Sequence, residues 1–262
     1  MVLPRGILTK CISWLLFPLV ISFVLVSLGP PAFGAENEPN LPPPSTRTEI
    51  KDLLETALFS PTWRSPEAVE WVVLQNKSVQ VGLFLPSNLK QKHYEPEFQR
   101  LGTTVARLQK KIQFPYVDPN QKLVTADEFM ANWNGSDPFA LISSSPRDPF
   151  EKLMKFHSSM FGHEIFDTER YIKRGCFYPP GSQKGGIKEG VFANIWSDLP
   201  DAEFDKCVAD ILYLAHGIWA EDAPYKDIVL KIMYDPMVRP GMTREALFEL
   251  VDQDVFDHLL AR

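Results

Sequence analysis

Hydrophobic positions recur along this chain in two periods, and the switches between them mark its elements. Ile50, Leu53, Leu54, Ala57 and Leu58 fall at helical spacing, the one-sided stripe of an amphipathic helix. Thr46-x-x-Glu49 ahead of them is a capping box, and Ser60-Pro61 closes the run. Val79, Val81, Leu83 and Leu85 then alternate with Gln80, Gly82 and Phe84, the period of a strand. Behind Pro96 the helical period returns in Phe98, Leu101, Val105, Leu108 and Ile112. Glu95 and Glu97 suit the positive end of that helix, Lys110 and Lys111 its negative end.

Residues 139–142 read as a short buried strand. Asp148-Pro149 caps and starts a helix with Phe150, Leu153, His157 and Met160 on one face, stopped at Gly162. Residues 176–178 and 191–196 read as two strands joined by a Pro/Gly loop over 179–186. After Asp201 comes a helix apolar on most sides, with Phe204, Cys207, Val208, Ile211, Leu212, Leu214 and Ala215, ended by Gly217. Such a helix is buried. Two more helices are expected over 225–234 and 244–260, the second capped by Thr243. Strands alternate with helices early and helices dominate late. The expected fold is α+β, a small mixed sheet covered by helices with a helical C-terminus, in one domain over residues 46–262.

The N-terminus departs from this pattern. Arg5 and Lys10 precede an uncharged apolar run over 11–28, then Gly29, Pro30 and Pro31 break it, and Ala32-Phe33-Gly34 offers small residues around a cut after Gly34. This is the layout of a secretion signal over residues 1–34. The alternative is an uncleaved anchor, since the run reaches the lower edge of what spans a bilayer. Residues 35–45 form a Pro-rich linker. Export to the periplasm or beyond is therefore expected, with membrane contact only if the leader is retained.

Export changes the reading of the cysteines. Beyond the leader only Cys176 and Cys207 remain, and an even number in an oxidising compartment favours a disulfide over two buried thiols. Charge excludes one partner class. The leader holds two of the 27 basic residues and no acid, which leaves 25 bases against 33 acids, a net charge of −8. Without clustered positive charge, nucleic-acid binding is not expected.

The stretch over 176–262 resembles the bacterial exported family called domain of unknown function 2927. The resemblance rests on a Cys on a strand, the hairpin from Gly185-Gly186-Ile187 into Val191-Phe192-Ala193-Asn194-Ile195, the turn Leu199-Pro200-Asp201, and a second Cys on a helix ending in Gly. The run Ile232-Met233-Tyr234-Asp235-Pro236-Met237-Val238-Arg239-Pro240-Gly241-Met242-Thr243 is its strongest part. Members resemble zincin metallopeptidases in the helix after the second Cys. A zincin places His-Glu-x-x-His there, two imidazoles for zinc and a Glu to activate water. The matching positions are Asp210, Ile211 and Leu214. Neither Ile nor Leu can perform those roles, so the resemblance implies a zincin-like scaffold lacking the metal motif, with no catalytic residue, metal or cofactor.

Other constellations are weaker. His163-Glu164-Ile165-Phe166-Asp167 follows a helix-stopping glycine and reads as a helix-to-strand turn. His157 reads as a core histidine. Gly181-Ser182-Gln183-Lys184-Gly185-Gly186 lacks the ending of a phosphate-binding loop. Asp210, His216, Glu221 and Asp222 gather on and after the buried helix and are the candidate polar groove. The expected function is a non-catalytic binding or assembly domain whose partner is an envelope or periplasmic protein. The alternative is a divergent metallopeptidase or hydrolase acting in the cell envelope.

Overall fold

The computed structural model describes residues 42–59, 70–72, 74, 78–85, 95–117, 122–125, 139–161, 167–178, 183–184, 187–188, 190–218, 220 and 223–260. The leader, most of the 35–45 linker, Ser60-Pro61, Gly162, residues 163–166, Gly181, Ser182, Gly185, Gly186, Glu221 and Asp222 lie outside the described residues.

Helix α1, Arg47–Leu54, starts at the capping box: the Glu49 N–H donates to Thr46 Oγ1 and the Glu49 carboxylate accepts from the Thr46 N–H. A wider turn, Glu55–Phe59, continues it. Then come β1 (Gln80–Leu85), α2 (Glu95–Ile112), β2 (Lys122–Thr125), β3 (Phe139–Ser145), α3 (Arg147–Phe161) and α4 (Thr168–Arg174). The C-terminal half holds β4 (Cys176–Phe177), the hairpin strands β5 (Gln183–Lys184) and β6 (Ile187–Lys188), β7 (Gly190–Trp196), α5 (Asp201–Ala215), α6 (Lys226–Met233) and α7 (Arg244–Asp252).

Five strands form one sheet in the order β2-β1-β3-β7-β4. The first four are parallel, and β4 runs antiparallel to β7 at the edge. The sheet is mixed, within an α+β chain. Parallel neighbours need crossovers, and helices fill them: α2 between β1 and β2, α3 and α4 between β3 and β7.

Strand alternation splits the apolar residues between two faces. Val81, Leu83, Ala140, Ile142, Val191, Ala193 and Ile195 join Leu101, Val105 and Leu108 of α2 and the apolar face of α5 in the main core, together with Ile50 and Leu54 of α1. A second cluster of Phe150, Met154, Tyr171 and Phe177 seats α3 and α4, and Trp196 packs against both clusters. His157 is buried against Phe177, with ring centroids 4.8 Å apart, as a core histidine should be.

The structure departs from the expected elements in several places, and the short strand β5 lies inside the expected 179–186 loop. β2 was not anticipated, because a four-residue strand offers little period to read. Asp167 opens a helix rather than a strand: its carboxylate accepts the Arg170 N–H at 2.9 Å and caps α4. The last helix ends at Asp252 instead of running to residue 260. Asp254 takes a left-handed backbone (φ 69°), and a short turn of 3-10 helix, Asp257–Leu259, follows. Arg47 from α1 donates to the Asp252 carbonyl at 2.9 Å, so a tertiary contact satisfies an end that local capping would otherwise serve.

Candidate functional site

Helix α5 begins as β7 ends and lies in the core. Cys207, Val208, Ile211, Leu212 and Leu214 are all buried. The Cys176–Cys207 disulfide, 31 residues apart in sequence, ties it to the edge strand β4. Ile211 and Leu214, the positions that the sequence resemblance would assign to a base and a second imidazole, belong to the hydrophobic core. Neither presents a polar atom to a ligand.

Asp210 is the one charged residue of this helix that is buried. Three elements converge on it. Arg174, the last residue of α4, pairs through Nη2 with Oδ2. Lys226, the first residue of α6, places Nζ 2.6 Å from Oδ1. The Tyr178 hydroxyl, just past β4, donates to Oδ2 at 3.2 Å and lies 3.5 Å from Cys176 Sγ. The guanidinium of Arg174 also sits over the Tyr178 ring, 5.1 Å from its centroid. One carboxylate thus joins α4, the β4 end, α5 and α6 beside the disulfide.

Local backbone makes this convergence possible. Gly175 closes α4 in the left-handed conformation (φ 72°), and a Cβ there would stand 2.4 Å from Leu199 Cδ1. Only glycine turns the chain tightly enough to place Arg174 and Cys176 on either side of that bend. Tyr225 is also left-handed (φ 51°) where α6 begins, which turns Lys226 inward.

Burial alone would push the Asp210 carboxyl up. The charges of Lys226 and Arg174, with the hydrogen bonds from Lys226 and Tyr178, outweigh it and hold the group below its usual range. Tyr213, one turn along and under Lys226, is pushed up by burial and by the carboxylates of Asp227 and Asp210. This is a charge-neutralised carboxylate with its lone pairs committed to donors. Among the described residues no group of three or more His, Cys, Asp or Glu could hold a metal ion.

His216 follows α5 and is fully buried. Its Nδ1 lies 2.6 Å from the Leu212 carbonyl and its Nε2 lies 2.5 Å from the Pro115 carbonyl. The Leu212 oxygen also accepts the His216 backbone N–H, and in a neutral ring one of the two nitrogens carries the hydrogen that is donated to a carbonyl. Burial pushes the imidazole down, and the two carbonyls pull upward without overcoming it. The rings of Phe114 and Tyr234 flank it. Asp210 and His216 therefore meet different partners, one ionic and one aromatic, while Glu221 and Asp222 lie outside the described residues.

Sequence reading did not find Arg174, Tyr178 and Lys226. They stand 36, 32 and 16 residues from Asp210, and no local pattern links them. The one signal was indirect: an acid on a helix otherwise buried must have partners. Neither a family model, nor a curated protein, nor a solved structure matches this chain.

Proposed function

We propose that this chain is an exported, non-catalytic binding or assembly domain on a degenerate zincin-like scaffold, acting on a protein of the cell envelope or periplasm. The observation that carries the reading is the state of the would-be metal helix. Asp210 is saturated by Arg174, Lys226 and Tyr178, and Ile211 and Leu214 fill the core. Two fixed cations supply at Asp210 the positive charge that a metal would bring. No open coordination position and no general base stand on this helix face, and both are needed for metal-assisted hydrolysis.

The scaffold reading draws support from the mixed sheet with its antiparallel edge strand, and from the buried helix that leaves the neighbouring strand β7. Export draws support from the disulfide. Among the described residues no helix is long and apolar enough to cross a membrane.

Metal analysis and a peptidase assay on the purified protein test the reading together. Far less than one zinc per chain is expected, with no chelator-sensitive cleavage of a mixed peptide library. Stoichiometric zinc with chelator-sensitive cleavage would establish the metallopeptidase alternative instead.

A further inference from the structure

The parallel sheet divides at its carboxyl edge. β1 stays paired with β2 as far as Leu85↔Thr125, and β3 stays with β7 as far as Ser145↔Trp196. Between β1 and β3 the pairing stops at Leu83↔Ile142. The last two residues of β1 and the last three of β3 go with opposite neighbours, and the sheet forks between them.

The fork falls where the winding of the chain reverses. From β1 the chain crosses to β2 on one side, and from β3 it crosses to β7 on the other. The crossovers take opposite faces: α2 packs on the main core, and α3 and α4 pack on the second cluster. In open parallel sheets such a reversal, at the carboxyl ends of the strands, leaves a crevice in which small molecules bind.

The residues at the fork differ from the sheet below it. β3 is buried from Phe139 to Ile142 and then turns to Ser143, Ser144 and Ser145, all partly exposed. Ser143 is the register partner of Asn194, also partly exposed, and alternation sets both on the face away from α5. Phe84 of β1 shares that face, and its ring meets Phe192 at 6.1 Å. Phe192 is 37% exposed and meets Phe139 at 5.0 Å. A hydroxyl, a carboxamide and an aromatic surface stand on one face across three strands.

These side chains select a ligand by charge and by hydrogen bonding. None of them is ionised, so an ion would give up its hydration without a counter-charge. Arg147, which opens α3 just past β3, is held by Glu151 at 2.8 Å and lies over the Trp196 ring, 4.9 Å from its centroid. A serine hydroxyl and the Asn194 carboxamide each both donate and accept, as the hydroxyls of a sugar do. The phenylalanine rings offer an apolar surface to the C–H face of a sugar ring.

We infer that the fork between β1 and β3 binds a neutral sugar, with Phe84 and Phe192 against its ring and Ser143 and Asn194 on its hydroxyls. These side chains lie across the sheet from α5, so the site is separate from the Asp210 cluster.

Saturation-transfer NMR titrations of the purified chain with glucose, N-acetylglucosamine and glucose 6-phosphate test the site. One or both neutral sugars should receive saturation from aromatic protons. Glucose 6-phosphate, which differs from glucose by its charged group, should bind at least fivefold more weakly. Ser143→Ala and Asn194→Ala should each weaken the neutral sugar about fivefold, the loss expected for one hydrogen bond, without altering thermal unfolding. Phe192→Ala should abolish the transfer. Saturation of neither neutral sugar, binding of glucose 6-phosphate within fivefold of the neutral sugar or tighter, or titrations unchanged in both Ser143→Ala and Asn194→Ala would overturn the inference. Zinc content and peptidase activity are read separately, so such a failure leaves the non-catalytic reading standing.

Discussion

The Asp210 cluster sets one carboxylate between two bases, and the Arg47 cluster sets one guanidinium among aspartates. Arg47 pairs with the carboxylates of Asp254 and Asp257 and donates to the Asp252 carbonyl, while Lys51 takes the Asp252 carboxylate at 2.6 Å. The chemistry is the same and the setting is opposite. The charged side chains in the first cluster are 8–15% exposed, and those of Arg47, Asp257 and Asp254 are 37%, 40% and 67% exposed. In water a charge without a partner is solvated at little cost. In the interior it has no such refuge, so removing one member strands the rest. Contact geometry alone would rank the clusters alike, and burial separates them.

The largest expected effect follows directly. Asp210→Ala leaves Arg174 and Lys226 without their carboxylate in a buried site and should cost about 3–5 kcal/mol of folding stability, the range for breaking a buried pair. Urea unfolding with the disulfide intact measures it. A loss no larger than that from Arg47→Ala would mean that Arg174 and Lys226 reach water in the variant, and the contrast between the clusters would collapse.

Acid should separate two buried groups, His216 and Asp210, in steps. His216 titrates from an ordinary value of 6.5, and burial moves it down in the fold. The neutral ring is the form the fold prefers, so its contribution is complete above about 6.5 and is lost as pH falls through the lower folded value. Asp210 has an ordinary value of 3.8 and a folded value below it, set by Lys226 and Arg174 against the opposing effect of burial. Its contribution is complete above about 3.8 and disappears only as pH falls through that lower value. Urea midpoints followed downward from neutral pH should therefore decline first through histidine and only later through the carboxylate. His216→Gln, which keeps a donor for the Pro115 carbonyl, should flatten the first decline. Among the described residues, His157, also pushed down by burial, contributes to the slope that remains. A first decline unchanged in the glutamine variant would remove His216 from the account.

These two clusters also show what a sequence discloses. The α1 capping box, the strand period of β1, the buried stripe of α5 and the Cys176–Cys207 pairing were legible, because each rests on neighbours in the chain or on a compartment-wide rule. The partners of Asp210 were not legible. Arg174, Tyr178 and Lys226 are ordinary residues of separate elements until the sheet and the disulfide bring them together. His216 was read as part of a polar groove on its residue type, whereas its partners are two backbone carbonyls and two rings. The end of α7 failed for the same reason on the surface. Its apolar period runs on through Val255 and Phe256, yet the helix ends at Asp252, where Asp254 turns left-handed and Arg47, about 200 residues earlier in the chain, holds the Asp252 carbonyl.

The smallest expected effect is that of Arg47→Ala, and it tests the exposed half of the comparison. Ile50, Leu53, Leu54, Ala57 and Leu58 stay buried in the variant, so apolar packing continues to hold α1 in place. The aspartates released by the substitution can be solvated where they stand. Salt screens such pairs, so raising it should bring the unfolding midpoint of the wild type toward that of the variant. A local effect should outlast this small global one. The Asp252 carbonyl loses a donor, and the left-handed turn at Asp254 loses the contact that pins it. Amide hydrogen exchange over residues 253–258 should accelerate while that of α5 stays at the wild-type rate. Faster exchange in α5 as well would show that the Arg47 cluster supports the core, and would erase the distinction between the two.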